Sequence, residues 1–317
     1  MPASAAPAVS VLALTRRFDS TIALDGISFD VAPGELFGFI GPDGAGKTTL
    51  FRILVTLLRP TAGHASVLGL DVVTGLWALR RRVGYMPGRF SLYPDLSVEE
   101  NLRFFASVFG TTVEAEHEMI APIYGQIAPF RDRRAGALSG GMKQKLALCC
   151  ALVHRPDILF LDEPTTGVDA VSRREFWDLL AQLKASGLTI VVSTPYMDEA
   201  DRCDRVALIQ QGRLLAIDTP AAVAASFDRP LLAVRAADRH RLLRAVRAYP
   251  HANTVYPFGE ALHYTDMRAH ESADVVAREL RAYLAREGFA DAEVSPIPPT
   301  IEDSFMARMG APEGAAA

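Results

Sequence analysis

The stretch Leu36-Phe37-Gly38-Phe39-Ile40-Gly41-Pro42-Asp43-Gly44-Ala45-Gly46-Lys47-Thr48-Thr49 decides the reading of this 317-residue chain. Five apolar residues are followed by a glycine-rich loop. A run with helical spacing then follows, Leu50, Phe51, Leu54, Leu57 and Leu58, which Pro60 ends. The loop has the form G-x-x-x-x-G-K-T between a strand and a helix. Glycines let backbone N–H groups converge on one point. The helix N-terminus adds partial positive charge and Lys47 a full one, while Thr48 offers a hydroxyl to a cation such as Mg²⁺. By average composition such a pattern arises by chance in roughly one chain in a hundred of this length. A Gly-rich turn beside a solvated lysine is the bland reading, and the strand-loop-helix context disfavours it.

Working outward, residues 9–35 read as short strands, with Ile22 to Phe29 alternating before the turn at Pro33-Gly34. Phe18 lies upstream of the loop, where it is either an aromatic for stacking or an ordinary edge-strand core residue. Residues 76–82 suggest an amphipathic helix. Ser97 with Glu100 forms a capping box for the helix that follows. Residues 113–134 read as a partly polar helical segment. At Leu138-Ser139-Gly140-Gly141-Met142-Lys143-Gln144, a serine and two glycines open another helix; alone this is a weak signal, satisfied by an N-cap.

Ile158-Leu159-Phe160-Leu161-Asp162-Glu163-Pro164 is an unbroken apolar run ending in two carboxylates. Continuous apolarity marks a central parallel strand, and the C-terminal end of such a strand is where α/β sheets bind ligands. Asp162 there suits a cation site and Glu163 suits a general base. A second buried strand, Thr189 to Ser193, leads to Thr194-Pro195-Tyr196-Met197-Asp198-Glu199-Ala200, and a hairpin follows over 205–217.

Composition narrows the class. Half the residues are hydrophobic and the net charge is −4, which argues against a nucleic-acid partner held by overall charge. No apolar run reaches the ~20 residues that span a bilayer, and Met1 to Ala8 lacks the basic and apolar blocks of a signal peptide. Three cysteines, two of them adjacent (Cys149 and Cys150), read as buried thiols in a reducing compartment.

Together these pieces resemble the nucleotide-binding subunit of an ATP-binding-cassette (ABC) transporter over about residues 9–219, with five motifs in the family's order. The resemblance makes 41–49 the Walker A loop, Leu138 to Gln144 the family signature, Ile158 to Pro164 Walker B, Val168-Asp169 the D-loop, and Phe18 the adenine-stacking aromatic. It implies an α/β P-loop NTPase cassette, with a mixed central sheet and a helical subdomain over about 89–150. ATP and Mg²⁺ are the implied ligands. Gly41, Pro42, Asp43, Gly44, Ala45, Gly46, Lys47, Thr48, Thr49 and Phe18 would hold the nucleotide, and Thr48 with Asp162 the metal. Glu163 would activate water. Ser139, Gly140, Gly141 and Gln144 would face the nucleotide of a second cassette. An integral-membrane permease partner and a place on the cytoplasmic face of the membrane follow from the same resemblance.

Two positions depart from the pattern. Gly88 stands where the family has glutamine after Tyr-Met-Pro, and Pro195 where it has histidine after Ser-Thr. No glutamine occurs between Gly88 and Gly125, and no histidine between His154 and His240. A chain missing two oriented donors is expected to bind ATP and hydrolyse it slowly, since one lost donor costs on the order of 10²–10³ in rate. This favours pairing with a non-identical cassette over a homodimer. The alternative is a non-hydrolysing module that only completes a partner's site.

Beyond residue 230 the expected order is β-α-β-β-α-β over 231–309, a small ferredoxin-like domain with a regulatory or dimerising role. Residues 1–8 and 311–317 are expected to be disordered tails.

Overall fold

The computed structural model of the chain describes residues 6–88 and 92–309. It divides into two compact units, one up to Pro220 and one from Ala221.

The first unit opens with a hairpin, β1 (Val9–Phe18) and β2 (Thr21–Val31), followed by β3 (Leu36–Ile40) and α1 (Lys47–Leu54). Next come β4 (Ala62–Val67), β5 (Leu70–Asp71), α2 (Leu76–Arg80) and β6 (Val83–Met86). Three helices follow: α3 (Val98–Val108), α4 (His117–Ile127) and α5 (Gly140–Leu152). The unit closes with β7 (Ile158–Asp162), α6 (Ala170–Ala185), β8 (Thr189–Thr194), β9 (Arg205–Gln210) and β10 (Arg213–Asp218).

Two sheets result. An antiparallel sheet has the order β2-β1-β4-β5, and a six-stranded sheet has the order β10-β9-β3-β8-β7-β6. In the latter all pairings are parallel except β9–β10. The three apolar runs, β3, β7 and β8, sit side by side, and every one of their residues is buried. That is why they lack alternation: both faces of a central parallel strand are covered. One core joins the two sheets through α1, with Phe29, Phe37, Phe39, Phe51 and Phe160 in mutual ring contact.

The capping box at Ser97 and Glu100 is present, with both hydrogen bonds formed. The helix expected over 113–134 is shorter. After α4 a single 3-10 turn ends at Phe130, and the chain then turns through 131–133 to an isolated bridge between Arg134 and Ser97. The carbonyls of Arg131 and Arg133 accept the N–H groups of Glu99 and Val98 at the start of α3, whose first-turn donors need partners from outside the helix. The expected subdomain boundary at about residue 89 lies outside the described residues. Ala8 is not part of a free tail: it is buried, donates to Val31 O and accepts from Leu68 N. The rest of the tail expectation, 1–5 and 311–317, lies outside the described residues.

The second unit comprises most of α7 (Pro220–Ala225), then β11 (Leu231–Arg235), α8 (Arg239–Arg247), β12 (Ala252–Phe258), β13 (Ala261–Asp266), α9 (Ala273–Arg286), β14 (Glu293–Pro296) and α10 (Ile301–Met309). Its antiparallel sheet has the order β12-β13-β11-β14, compatible with a ferredoxin-like sandwich. Leu232, Val234, Val255, Leu262, Tyr264 and Val294 on one sheet face pack against Leu242, Val246, Val276 and Leu280 of α8 and α9. Helix α10 had no counterpart in the sequence reading.

Candidate nucleotide site

The glycine-rich loop connects β3 to α1, and steric facts fix its composition. Gly46, the N-cap of α1, has φ +106°, a conformation L side chains rarely adopt. A Cβ there would meet Ala23 O at 2.4 Å, and one at Gly41 would meet Ile209 O at 2.1 Å. The loop is therefore pressed against β2 and β9. No side chain caps α1 and no acidic residue stands in its first turn. Its leading N–H groups and positive dipole end are kept for an outside anion.

Lys47 is buried, yet all three of its ammonium protons have acceptors. Gly41 O lies at 2.7 Å, Pro42 O at 2.9 Å and Glu163 Oε1 at 3.1 Å. Glu163 stands just beyond β7 with φ +50°, an uncommon state for a non-glycine residue. Its N–H is held by Ser193 O at 3.0 Å and Ser193 Oγ at 3.1 Å. The Ser193 hydroxyl donates to Asp162 Oδ1 at 2.7 Å. Asp162 and Ser193 are neighbours in the parallel β7–β8 register, so sheet geometry alone joins them. Tyr85 on β6 has its phenol pushed up to about 12, by burial first and by the charge of Asp162 second.

Both departing positions fall at this end of the sheet. A Cβ on Gly88 would lie 2.9 Å from Asp162 O and 3.7 Å from Glu163 Cβ. Pro195 follows directly on β8 and is half-buried, with no polar side-chain atom and no N–H. Around it is a cluster that the sequence reading did not single out. Buried Glu199 accepts from the hydroxyls of Thr165 and Thr194 and lies 3.4 Å from the Arg173 guanidinium. Arg173 in turn stacks on Tyr196 at 4.4 Å. The readable signal was a Glu five residues beyond a strand of continuous apolarity; a carboxylate buried there needs donors.

The remaining expected residues make no side-chain hydrogen bond to this cluster among the described residues. Ser139 is the N-cap of α5, its hydroxyl accepting from Met142 N at 3.3 Å. Ser139 and Gly140 are exposed and Gln144 is half-buried. A Cβ on Gly141 would meet Ser172 Oγ at 2.6 Å, so the start of α5 abuts the start of α6. Among the described residues, no hydrogen bond or ion pair joins residues 139–141 to residues 41–49. Asp169 caps α6, accepting from Val171 N at 3.1 Å and Ser172 N at 3.0 Å; the hydrogen bonds from Ser172 chiefly hold its carboxyl below the usual range. Phe18, at the end of β1, is 41% exposed and so is no core residue; the Arg16 guanidinium lies 4.4 Å over its ring. Cys149, Cys150 and Cys203 are buried, and burial pushes their thiols up.

Comparison with known proteins decides the family. A family model described as ABC transporter matches residues 24–166. Nod factor export ATP-binding protein I of Burkholderia pseudomallei (strain 1710b) is 43% identical over 208 residues, covering 65% of this chain and 68% of that protein. This chain belongs to the ATP-binding proteins of ABC transporters. The cassette unit thus has the P-loop NTPase fold of a family of ATPases that dimerise and work with membrane permease components. A probable multidrug ABC transporter ATP-binding protein of Escherichia coli K12, YbhF, is 46% identical over 210 residues, 65% of this chain. The chain spans only 36% of the length of that relative. Among solved structures, cbiO1 of Clostridium perfringens, part of the ABC transporter complex cbiONQ, superposes with a TM-score of 0.63 at 27% identity; the match covers 69% of this chain and 91% of that one. Among the described residues no helix is long and apolar enough to cross a membrane.

No group of three or more His, Cys, Asp and Glu able to hold a metal is found among the described residues. A hard cation here would rest on Asp162 and the Thr48 hydroxyl, with phosphate oxygens and water completing its shell, the usual pattern for Mg²⁺.

Proposed function

We propose that the chain binds Mg-ATP on Gly41 to Thr49, and that it works as a weakly hydrolysing subunit of an exporter beside a second, non-identical cassette. The observation that carries the reading is the composition of the sheet end around Asp162 and Glu163. Where the family places glutamine and histidine there are Gly88 and Pro195, neither with a side-chain donor. The export direction draws support from the multidrug and Nod factor export relatives. On this reading the chain lies against the cytoplasmic face of the membrane, on its permease.

The residues divide the work as follows. Lys47 must let go of at least one of its three acceptors to reach a phosphate, and Glu163 is the one whose release has a chemical consequence. Freed from Lys47, the Glu163 carboxylate can take a proton from water as general base. Ser193 holds both Asp162 and the Glu163 backbone and so fixes their spacing. A bound Mg²⁺ would neutralise phosphate charge as it develops. What the site lacks is a donor at position 195 aimed at the γ-phosphate. Phe18 supplies an exposed ring for the adenine. Ser139, Gly140, Gly141 and Gln144 present a helix N-terminus to the nucleotide of the partner cassette. The 231–309 domain has a regulatory or dimerising role.

The test is Mg-ATP turnover by the purified chain alone, with nucleotide binding measured in parallel and Lys47→Ala as control. The expected outcome is binding without appreciable turnover. Turnover at rates typical of ATPases that is abolished in Lys47→Ala would overturn the reading and make the chain a self-sufficient motor.

A further inference from the structure

A cavity in the second unit lies on the sheet face opposite α8 and α9. Strand alternation sends Leu232, Val255, Leu262 and Tyr264 to the helices and Leu231, Thr254, Tyr256, His263 and Thr265 to the other side. That second face is not left to water. Leu231, His263 and Thr265 are all buried. Helix α10 and the segment after α7 cover them; Ser304 Oγ donates to Val223 O of α7 at 3.0 Å and Arg308 to Ser226 Oγ, just past α7, at 2.9 Å. A cavity of about 520 Å³ is left under this cover. That volume is in the range of small-molecule sites, roughly 300–1,000 Å³.

Hydrogen-bond accounting gives the cavity its chemistry. Thr265 Oγ1 accepts from Asn253 Nδ2 at 3.1 Å and from Thr254 N at 3.1 Å, which uses both lone pairs. Its own proton must then go to Thr254 Oγ1, 2.6 Å away, leaving the Thr254 hydroxyl proton uncommitted. His263 Nδ1 lies 2.6 Å from Asp303 Oδ1, and Asp303 Oδ2 is taken by the N–H and hydroxyl of Thr300. The carboxylate can only accept, so Nδ1 carries a proton toward it, and Nε2 has no protein partner among the described residues. The Tyr256 hydroxyl and Asn253 Oδ1 likewise have none.

The lining is charge-balanced. Asp228 and Asp303 stand with Arg229 and Arg308 in the lining, so the formal charges of these four side chains cancel. The uncommitted groups are mixed: hydroxyls at Thr254 and Tyr256, an amide oxygen at Asn253 and a ring nitrogen at His263. Hydroxyl groups are the ligand chemistry that serves donors and acceptors at once. Phe227 and Tyr256 add aromatic wall for apolar C–H faces. We infer that this cavity is a binding site for a small, uncharged, hydroxyl-rich molecule, a free sugar or the ribose end of a nucleoside.

The test uses the full chain, with isothermal titration calorimetry against D-glucose, N-acetylglucosamine and adenosine, and inorganic phosphate and citrate as charged comparators. Adenosine is titrated with the nucleotide site filled by ATP, so that its signal reports the second unit. The expected result is saturable binding of a sugar or of adenosine, and which of them binds identifies the source. Tyr256→Phe removes one hydroxyl from this cavity and should weaken that binding about three- to tenfold, the worth of one hydrogen bond; Thr254→Val, which also frees the Thr265 proton, should weaken it at least as much, with ATP binding unchanged in both. Binding of phosphate or citrate alone, binding of none of the probes, or sugar binding that neither variant alters would each overturn the inference.

Discussion

At the scale of single residues, the site is held by a competition for Lys47. Its ammonium is buried with three acceptors, of which Glu163 is the only charged one. Glu163→Gln removes that charge and the general base together. The variant should lose turnover by about 10²–10⁴, measured with the partner cassette present if the chain alone is silent, while ATP affinity is retained or rises. A fall in affinity of tenfold or more, read by nucleotide titration, would mean that Lys47 does not have to leave Glu163 to bind phosphate. The two departing positions are not equivalent. Pro195→His restores a donor at a half-buried position, and a gain in turnover on the order of 10²-fold is expected if the missing donor is the deficit. Gly88→Gln carries an added cost, because its Cβ would sit 2.9 Å from Asp162 O, so the loop must move before the amide can act. Its gain is expected to be the smaller of the two in steady-state assays.

Elements meet at glycines. Gly46→Ala would place a methyl group 2.4 Å from Ala23 O at a φ of +106°. Such backbone strain alone costs on the order of 1–3 kcal/mol. The variant should show a lower denaturant midpoint and no measurable ATP binding, because α1 can no longer start against β2. Gly141→Ala tests a different contact, the start of α5 against Ser172 of α6. Overpacking of this kind costs about 1–3 kcal/mol. Ser172→Gly in the same chain should recover part of it, and a double-mutant cycle by urea denaturation reads the coupling directly. A cycle with no coupling would mean that the two helices separate without penalty.

For the whole molecule, the two units should answer acid differently. His154, stacked on Phe109, has its imidazole held below the ordinary value, by burial above all, although the bond to Val83 O and the charge of Glu116 oppose this. The unfolded chain therefore binds the His154 proton first. That contribution to stability is complete above pH ~6.5 and declines as pH falls from there toward the folded value. Asp266 in the second unit is raised by burial but lowered more by Arg268, with a net value below 3.8. Its contribution is complete above that pH and is lost only as pH falls through the lower folded value. Hydrogen exchange read by mass spectrometry at pH 7.5 and 5.5 should show protection falling around α5 and α3 and unchanged in β11, β13 and α9. Equal loss in both units would contradict this assignment.

Much of the cassette was legible because its signals are local. Loop composition, unbroken apolar strands and the Ser97–Glu100 box each follow from residues adjacent in sequence, and backbone geometry converts them directly into strand, turn and cap. A signal of the same local kind stands at the start of α10. Thr300-Ile301-Glu302-Asp303 is a capping box, with Thr300 Oγ1 accepting from Asp303 N and Asp303 Oδ2 from Thr300 N. The turn at 131–134 was not legible, since its conformation depends on donors of α3 more than thirty residues earlier. By itself, then, the sequence determined the phosphate loop, the strand that carries Asp162 and Glu163, and the absence of side-chain donors at Gly88 and Pro195. Only the tertiary structure decided that Lys47 and Glu163 share a proton-donor contact, that Ser193 ties Asp162 to Glu163, that Gly88 abuts Asp162, and that α10 encloses a polar cavity. Those depend on parallel strand register and on the packing of distant elements, which one-dimensional periodicity does not encode.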